Sequence, residues 1–217
     1  MKISWIRTII GLISGPAIVV AGMATFTLAS AGPAAAGQPV TQTLTPPPPS
    51  FESCKTVGTG FICEGARTMT YGPDDAGITC GTGAGAVDIL DQGTHNQHAI
   101  RFYNTDGNIT RRVIYDQYFG QWSNPATGAA IPYMQHNTTT DVVAVPGDLT
   151  SSTETTTGET NFTVPHMGAV LLNAGKVVFN LFDGTLEFSA GPQAFVDYFY
   201  NGNTAALAGV CTALGAS

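Results

Sequence analysis

The chain has 217 residues, of which 43% are hydrophobic and only 11% charged, with 15 acidic residues against eight basic ones and a net charge of −7. A surface of that sign repels phosphate backbones and anionic headgroups, which excludes nucleic acid as an expected partner. The length suits one domain with a real hydrophobic core, and Thr, Ser, Asn, Gln and Gly supply the polar coat that charged residues do not.

Lys2 and Arg7 form a short positive segment, after which residues 9–28 carry no charge. Small residues follow. Ala34-Ala35-Ala36 before Gly37 meets the small-x-small cleavage rule, with Ala29-Ser30-Ala31 before Gly32 as a second candidate. Residues 1–36 therefore read as a cleaved secretory signal. Gly11, Gly15, Pro16 and Gly22 interrupt the apolar run and speak against a retained membrane anchor. No Arg-Arg pair marks the twin-arginine route, and no cysteine follows closely enough to carry a lipid. The expected product is secreted and has no membrane span. Losing Lys2 and Arg7 leaves six basic residues and a net charge of −9.

Residues 37–52 include Pro46-Pro47-Pro48-Pro49 among Thr and Gln. Consecutive prolines favour an extended polyproline conformation and lack the donors a sheet needs, so this stretch reads as a spacer ahead of a domain at 53–217. From Phe61 the pattern becomes strand, turn, strand. Asp106-Gly107 separates the β-rich runs 99–103 and 109–115, a strong hairpin signal. Turns are expected at Asn124-Pro125-Ala126-Thr127-Gly128, Pro146-Gly147-Asp148, Ala174-Gly175 and Asp183-Gly184. The Thr-rich segment 150–164 reads as a polar strand, since Thr is β-branched. With runs at 61–71 and 87–90, about eight strands follow one another at short spacing. Leu207, Val210, Cys211 and Leu214 repeat at helical spacing behind Asn203 or Thr204, so the chain should end in a short packed helix.

The fold class is therefore all-β: an antiparallel up-and-down β-barrel of about eight strands, lipocalin-like, with a short C-terminal helix. Closure is favoured because an open meander leaves two aggregation-prone edges. A two-sheet β-sandwich is the alternative. Cys54, Cys63, Cys80 and Cys211 make an even count in an exported chain and read as two disulfides. The pairing we favour is Cys54–Cys63 with Cys80–Cys211, the second bond tying the helix to an early strand.

The hairpin Phe102-Tyr-Asn-Thr-Asp-Gly-Asn-Ile-Thr-Arg-Arg112, the turn Val145-Pro-Gly-Asp148, the Thr-rich strand and Cys211-Thr-Ala-Leu214 resemble a group of small, uncharacterised secreted β-barrel proteins of actinobacteria. That group has no established activity, so the resemblance implies no catalytic residue.

Motifs for chemistry are sparse. His95 and His98 are three apart, which in a strand points them to opposite faces, and His136 and His166 lie far off, so no metal is expected. Asn104-x-Asp106-Gly107-Asn108 resembles the start of a calcium loop, but its twelfth position is Tyr115 where a bidentate Glu is needed. There is no G-x-S-x-G, no cofactor loop and no catalytic set in the spacing; Asp88, Asp91, Asp116 and Glu187 are scattered carboxylates that only a fold could pair. One concentration stands out. Arg101, Arg111 and Arg112 share one hairpin; a two-residue turn sets Arg101 opposite Arg112 and a three-residue loop sets it opposite Arg111, and either register juxtaposes like charges that need a carboxylate or an anionic ligand between them. Asp116 is on the Arg112 face and is the expected neutraliser. With Tyr103, and with Trp122 on the Arg112 parity, Arg101 and Arg112 form a candidate ligand-binding group for an amphipathic or anionic small molecule. The expected function is thus non-catalytic binding. A cyclase- or isomerase-type barrel enzyme and a filled structural or surface interaction module are the alternatives, which the lining of the interior would separate.

Overall fold

The computed structural model describes residues 40–164 and 167–216; the expected secretory signal, its expected cleavage sites and His166 lie outside them. Eight antiparallel strands form one sheet in chain order: β1 (Ser53–Val57), β2 (Gly60–Cys80), β3 (Val87–Tyr103), β4 (Ile109–Ser123), β5 (Ala130–Val143), β6 (Ser152–Val164), β7 (Gly168–Asn180) and β8 (Thr185–Ala190). A short helix α1 (Ala194–Phe199) follows, then a 3-10 turn at Thr204–Leu207 that runs into α2 (Ala208–Ala213). None of these helices is long and apolar enough to cross a membrane.

The up-and-down meander and the terminal helix match the sequence pattern, but the strands are longer than expected. Runs 87–90 and 99–103 are two ends of β3, and Ala174-Gly175 lies inside β7 instead of turning it. Gly175 (φ 128°) pairs with Gly158 (φ 153°), and a Cβ on either would come within 2.0–2.1 Å of a neighbouring strand's carbonyl oxygen. The two glycines let the ladder bend without breaking. Turns at Asn124–Gly128, Val145–Asp148 and Asn180–Gly184 are closed by backbone hydrogen bonds of 2.8–2.9 Å. Arg101 does face Arg112, although a bulge between Phe102 and Tyr103 shifts the end of the hairpin.

The sheet does not close: β1 and β8 are its free edges. Nor does it split into the two sheets of a sandwich. The physical reason lies at the termini of the meander. Its edge strands are the shortest of the eight, and each adjoins a proline-bearing segment, Pro46–Pro49 before β1 and Pro192 after β8, which cannot supply a full set of donors to a seam.

The described part of the Pro/Thr-rich stretch ahead of β1 packs against the β3–β4 hairpin. Thr45 N donates to Gly107 O and Ile109 N donates to Thr45 O, both at 2.8 Å, Leu44 is buried, and the Tyr103 hydroxyl donates to Pro46 O at 3.0 Å. The prolines add no ladder to the sheet. Leu44, Cys63, Tyr103, Ile109 and Val143 close one end of the molecule. At the other end Val210 of α2 and the flanking Leu207 and Leu214 are buried in one cluster with Ile78, Ile89, Ile131, Phe162 and Leu171. Cys54–Cys63 joins β1 to β2, and Cys80–Cys211 fastens α2 to the end of β2, the pairing expected from the sequence.

Candidate functional site

Side chains of alternate residues on β2 to β7 face one cavity of about 730 Å³, so the sheet curls around it. The remaining wall comes from Pro49 and Phe51 ahead of β1 and from Phe195, Val196, Phe199 and Tyr200 of the α1 region. Cross-strand register stacks the lining in rungs. One rung reads Arg101, Arg112, Asp141, Glu154, Phe179 across β3 to β7; ten residues farther along β4, another sets Asp91 beside Trp122.

Asp91 is the centre of the second group. The Tyr133 hydroxyl donates to its two oxygens at 3.1 and 3.2 Å, and the Tyr71 and Tyr133 hydroxyls are 2.5 Å apart. Burial raises the Asp91 carboxyl to about 7, with hydrogen bonds from Tyr133, Trp122 and Tyr71 opposing the shift and the charge of Asp74 adding to it. Burial, and then the Asp91 charge, push the Tyr71 and Tyr133 phenols up from 10.0, so both remain protonated donors. The Tyr133 ring has room because residue 120 is glycine: a Cβ there would lie 2.6 Å from it. Trp122, Phe162 and Phe195 pack alongside at 4.4–5.8 Å between ring centroids.

The arginine rung is neutralised from within the protein. Arg101 Nε donates to Glu52 Oε1 at 2.9 Å, and Arg112 Nε donates to Asp141 Oδ2; both carboxylates are fully buried. Asp116, expected between the arginines, instead accepts from His95 Nε2 at 2.6 Å and from Gln97 Nε2 at 3.2 Å. The correction has a geometric cause, since Asp116 lies two rungs away while Asp141 is the direct register partner of Arg112. Glu154, next on the rung, is raised to about 7 by burial and by the charge of Asp141, with Arg112 opposing. The Tyr200 phenol is pushed up to about 12 by burial and by Glu154.

Of the residues singled out in the sequence, Arg101, Arg112 and Trp122 line the cavity. Tyr103 does not; it is buried in the closed end against Leu44 and Cys63. His95 is fully buried and stacks on Tyr118 at 4.0 Å, whereas His98 faces outward with Glu64 at 2.8 Å, the opposite-face geometry expected of a strand. Asp88 accepts from Thr79 Oγ1 and Glu187 is exposed, so of the four scattered carboxylates Asp91 and Asp116 reach the cavity. Glu52, Tyr71, Tyr133, Asp141 and Glu154 carried no sequence motif. Strand parity was the one signal available, and it brings Asp91 onto the Arg101 face only when β3 is read as a continuous strand. No match was found to a protein family, a curated protein or a solved structure.

The cavity thus holds two carboxyl groups that exchange protons near neutral pH, one of them among aromatic rings and phenolic donors. Such a group can accept a proton from, or return it to, an enclosed molecule.

Proposed function

We propose that this chain is an exported acid–base protein of the isomerase or cyclase type, in which Asp91 moves a proton on a small organic molecule held in the cavity and Tyr71 and Tyr133 orient its carboxyl. The reading rests on one observation: a carboxyl raised to about 7 lines a partly open cavity of about 730 Å³. Two disulfides fit an oxidising, extracytoplasmic setting, and cleavage after Ala36 of a secretory signal is part of the proposal. The carrier reading for an acidic ligand has less support, because Arg101 and Arg112 already face Glu52 and Asp141.

A nitrobenzisoxazole tests the reading without knowledge of the natural substrate. Removal of its ring proton by a base opens the N–O bond and releases a coloured cyanonitrophenolate. The purified protein should show a saturable rate that rises with pH through about 7, as Asp91 ionises, and Asp91→Asn should abolish it. Equal rates for the protein and the variant would sink the proposal.

A further inference from the structure

We propose that the aromatic end of the cavity takes an organic cation, an ammonium group on a small apolar body, with the Asp91 carboxylate as its counter-charge. The inference deepens the reading of Asp91 as the working group of this cavity by naming the class of molecule it meets.

Three observations carry it. The first is the wall. Tyr71, Tyr118, Trp122, Tyr133, Phe162 and Phe195 all line the cavity. Their centroids lie 4.4 Å apart for Trp122 and Phe162, 5.0 Å for Tyr133 and Phe162, 5.8 Å for Trp122 and Phe195, and 6.4 Å for Tyr71 and Tyr118. Aromatic faces carry negative potential and hold quaternary and protonated amines in desolvated sites. The second is the charge inside. Of the cavity-lining arginines, Arg101 is paired with Glu52 and Arg112 with Asp141, while Arg67 is held by the neutral Gln97 and Phe51 ring, one cation against six carboxyl groups. Asp74, Asp75, Asp91, Asp116, Glu154 and Glu159 line the same space, so an anion entering it meets like charge.

The third is the partner set of Asp91. Tyr133, Trp122 and Tyr71 hydrogen-bond to it and all are neutral, while the charge that acts on it, that of Asp74, is of its own sign. A largely desolvated carboxylate with hydrogen bonds but no counter-ion among the described residues is costly, and a cationic ligand would supply that charge. A neutral ligand would leave that charge as it was, and an anion would add to the cost.

The proton bookkeeping gives the test its shape. The groups facing Asp91 are Asp74 and Tyr71 from β2, Trp122 from β4 and Tyr133 from β5, and the tyrosines stay protonated, so Asp91 is the group that titrates near 7 at this end. A ligand that needs ionised Asp91 should bind about tenfold more tightly at about pH 8 than at about pH 6. Calorimetry on the purified full chain would compare benzyltrimethylammonium with phenyl tert-butyl carbinol, an uncharged molecule of similar size, and with phenylpropanoate. We expect the ammonium to bind at least about tenfold more tightly than either, with the stated rise with pH. Asp91→Asn should remove both the preference and the pH dependence. Binding of the carbinol or the carboxylate as tightly as the ammonium would overturn the proposal, as would pH-independent ammonium binding by the unaltered protein, a measurement that does not depend on the variant folding. Ammonium binding without nitrobenzisoxazole turnover would strike the catalytic reading alone; turnover without ammonium preference would strike this one alone.

Discussion

Raising the pH from about 4 to about 8 should destabilise this protein, and the cavity sets the size of the effect. Asp91 titrates at about 7 in the fold against an ordinary aspartate value of 3.8, and Glu154 at about 7 against 4.5. Between those limits the folded state binds more protons than the unfolded chain, so unfolding free energy falls as pH rises through the window and is flat on either side of it. At 1.36 kcal/mol per unit, the shifts correspond to about 4 kcal/mol for Asp91 and about 3 kcal/mol for Glu154. Glu154 is buried but Asp91 is only partly so, and solvent screening lowers the Asp91 figure; Glu154 in turn shares its site with Asp141, which makes the sum an upper bound. The exposed carboxyls of Asp148 and Asp183 are held low by Thr150 and Thr185 and act in the opposite direction at lower pH. Urea unfolding at about pH 5 and about pH 8 should therefore give a clearly higher stability at the lower value, by several kcal/mol. Asp91→Asn and Glu154→Gln should each flatten the slope, and the double variant should remove most of it. A stability that is level or rises toward pH 8, or an Asp91→Asn protein with the slope of the unaltered one, would refute the reasoning.

Other perturbations probe the same architecture. Arg112→Ala should cost about 3–5 kcal/mol in urea unfolding, because it strands the buried Asp141 carboxylate, and Arg112→Ala with Asp141→Ala should cost less than Arg112→Ala alone. Cys211→Ser opens the bond that spans 131 residues and releases α2, for which thermal unfolding should report a loss of about 2–5 kcal/mol. Gly120→Ala places a methyl group 2.6 Å from the Tyr133 ring; overpacking of about 1–3 kcal/mol and a lowered nitrobenzisoxazole rate should appear together, since Tyr133 can no longer hold Asp91.

The local elements were legible because their causes are local. Asp106-Gly107 and Asp183-Gly184 turn because glycine accepts positive φ, Thr-rich β6 extends because β-branched side chains suit a pleated surface, and the apolar stripe of Leu207, Val210 and Leu214 needs a core to cover it. The disulfide pairing followed from the same helix stripe. Helix α1 was missed: its six residues hold four aromatic or β-branched side chains with poor helical propensity, and packing on the cavity supports them. Closure of the barrel was expected from the hazard of free edges, whereas the fold manages that hazard with short edge strands beside prolines.

The arginines mark the boundary most clearly. Sequence alone placed Arg101 opposite either Arg112 or Arg111, because register across a turn is a nearest-neighbour property, and the structure selects Arg112. Which carboxylates answer them, Glu52 from a docked proline-rich segment and Asp141 from the next strand, is decided by contacts 49 and 29 residues away in sequence. The same holds for Asp91, whose proton affinity depends on burial beneath rings contributed by β2, β4, β5, β6 and α1. Turn chemistry and side-chain alternation are written residue by residue, but desolvation belongs to the cavity, and only the curled sheet creates it.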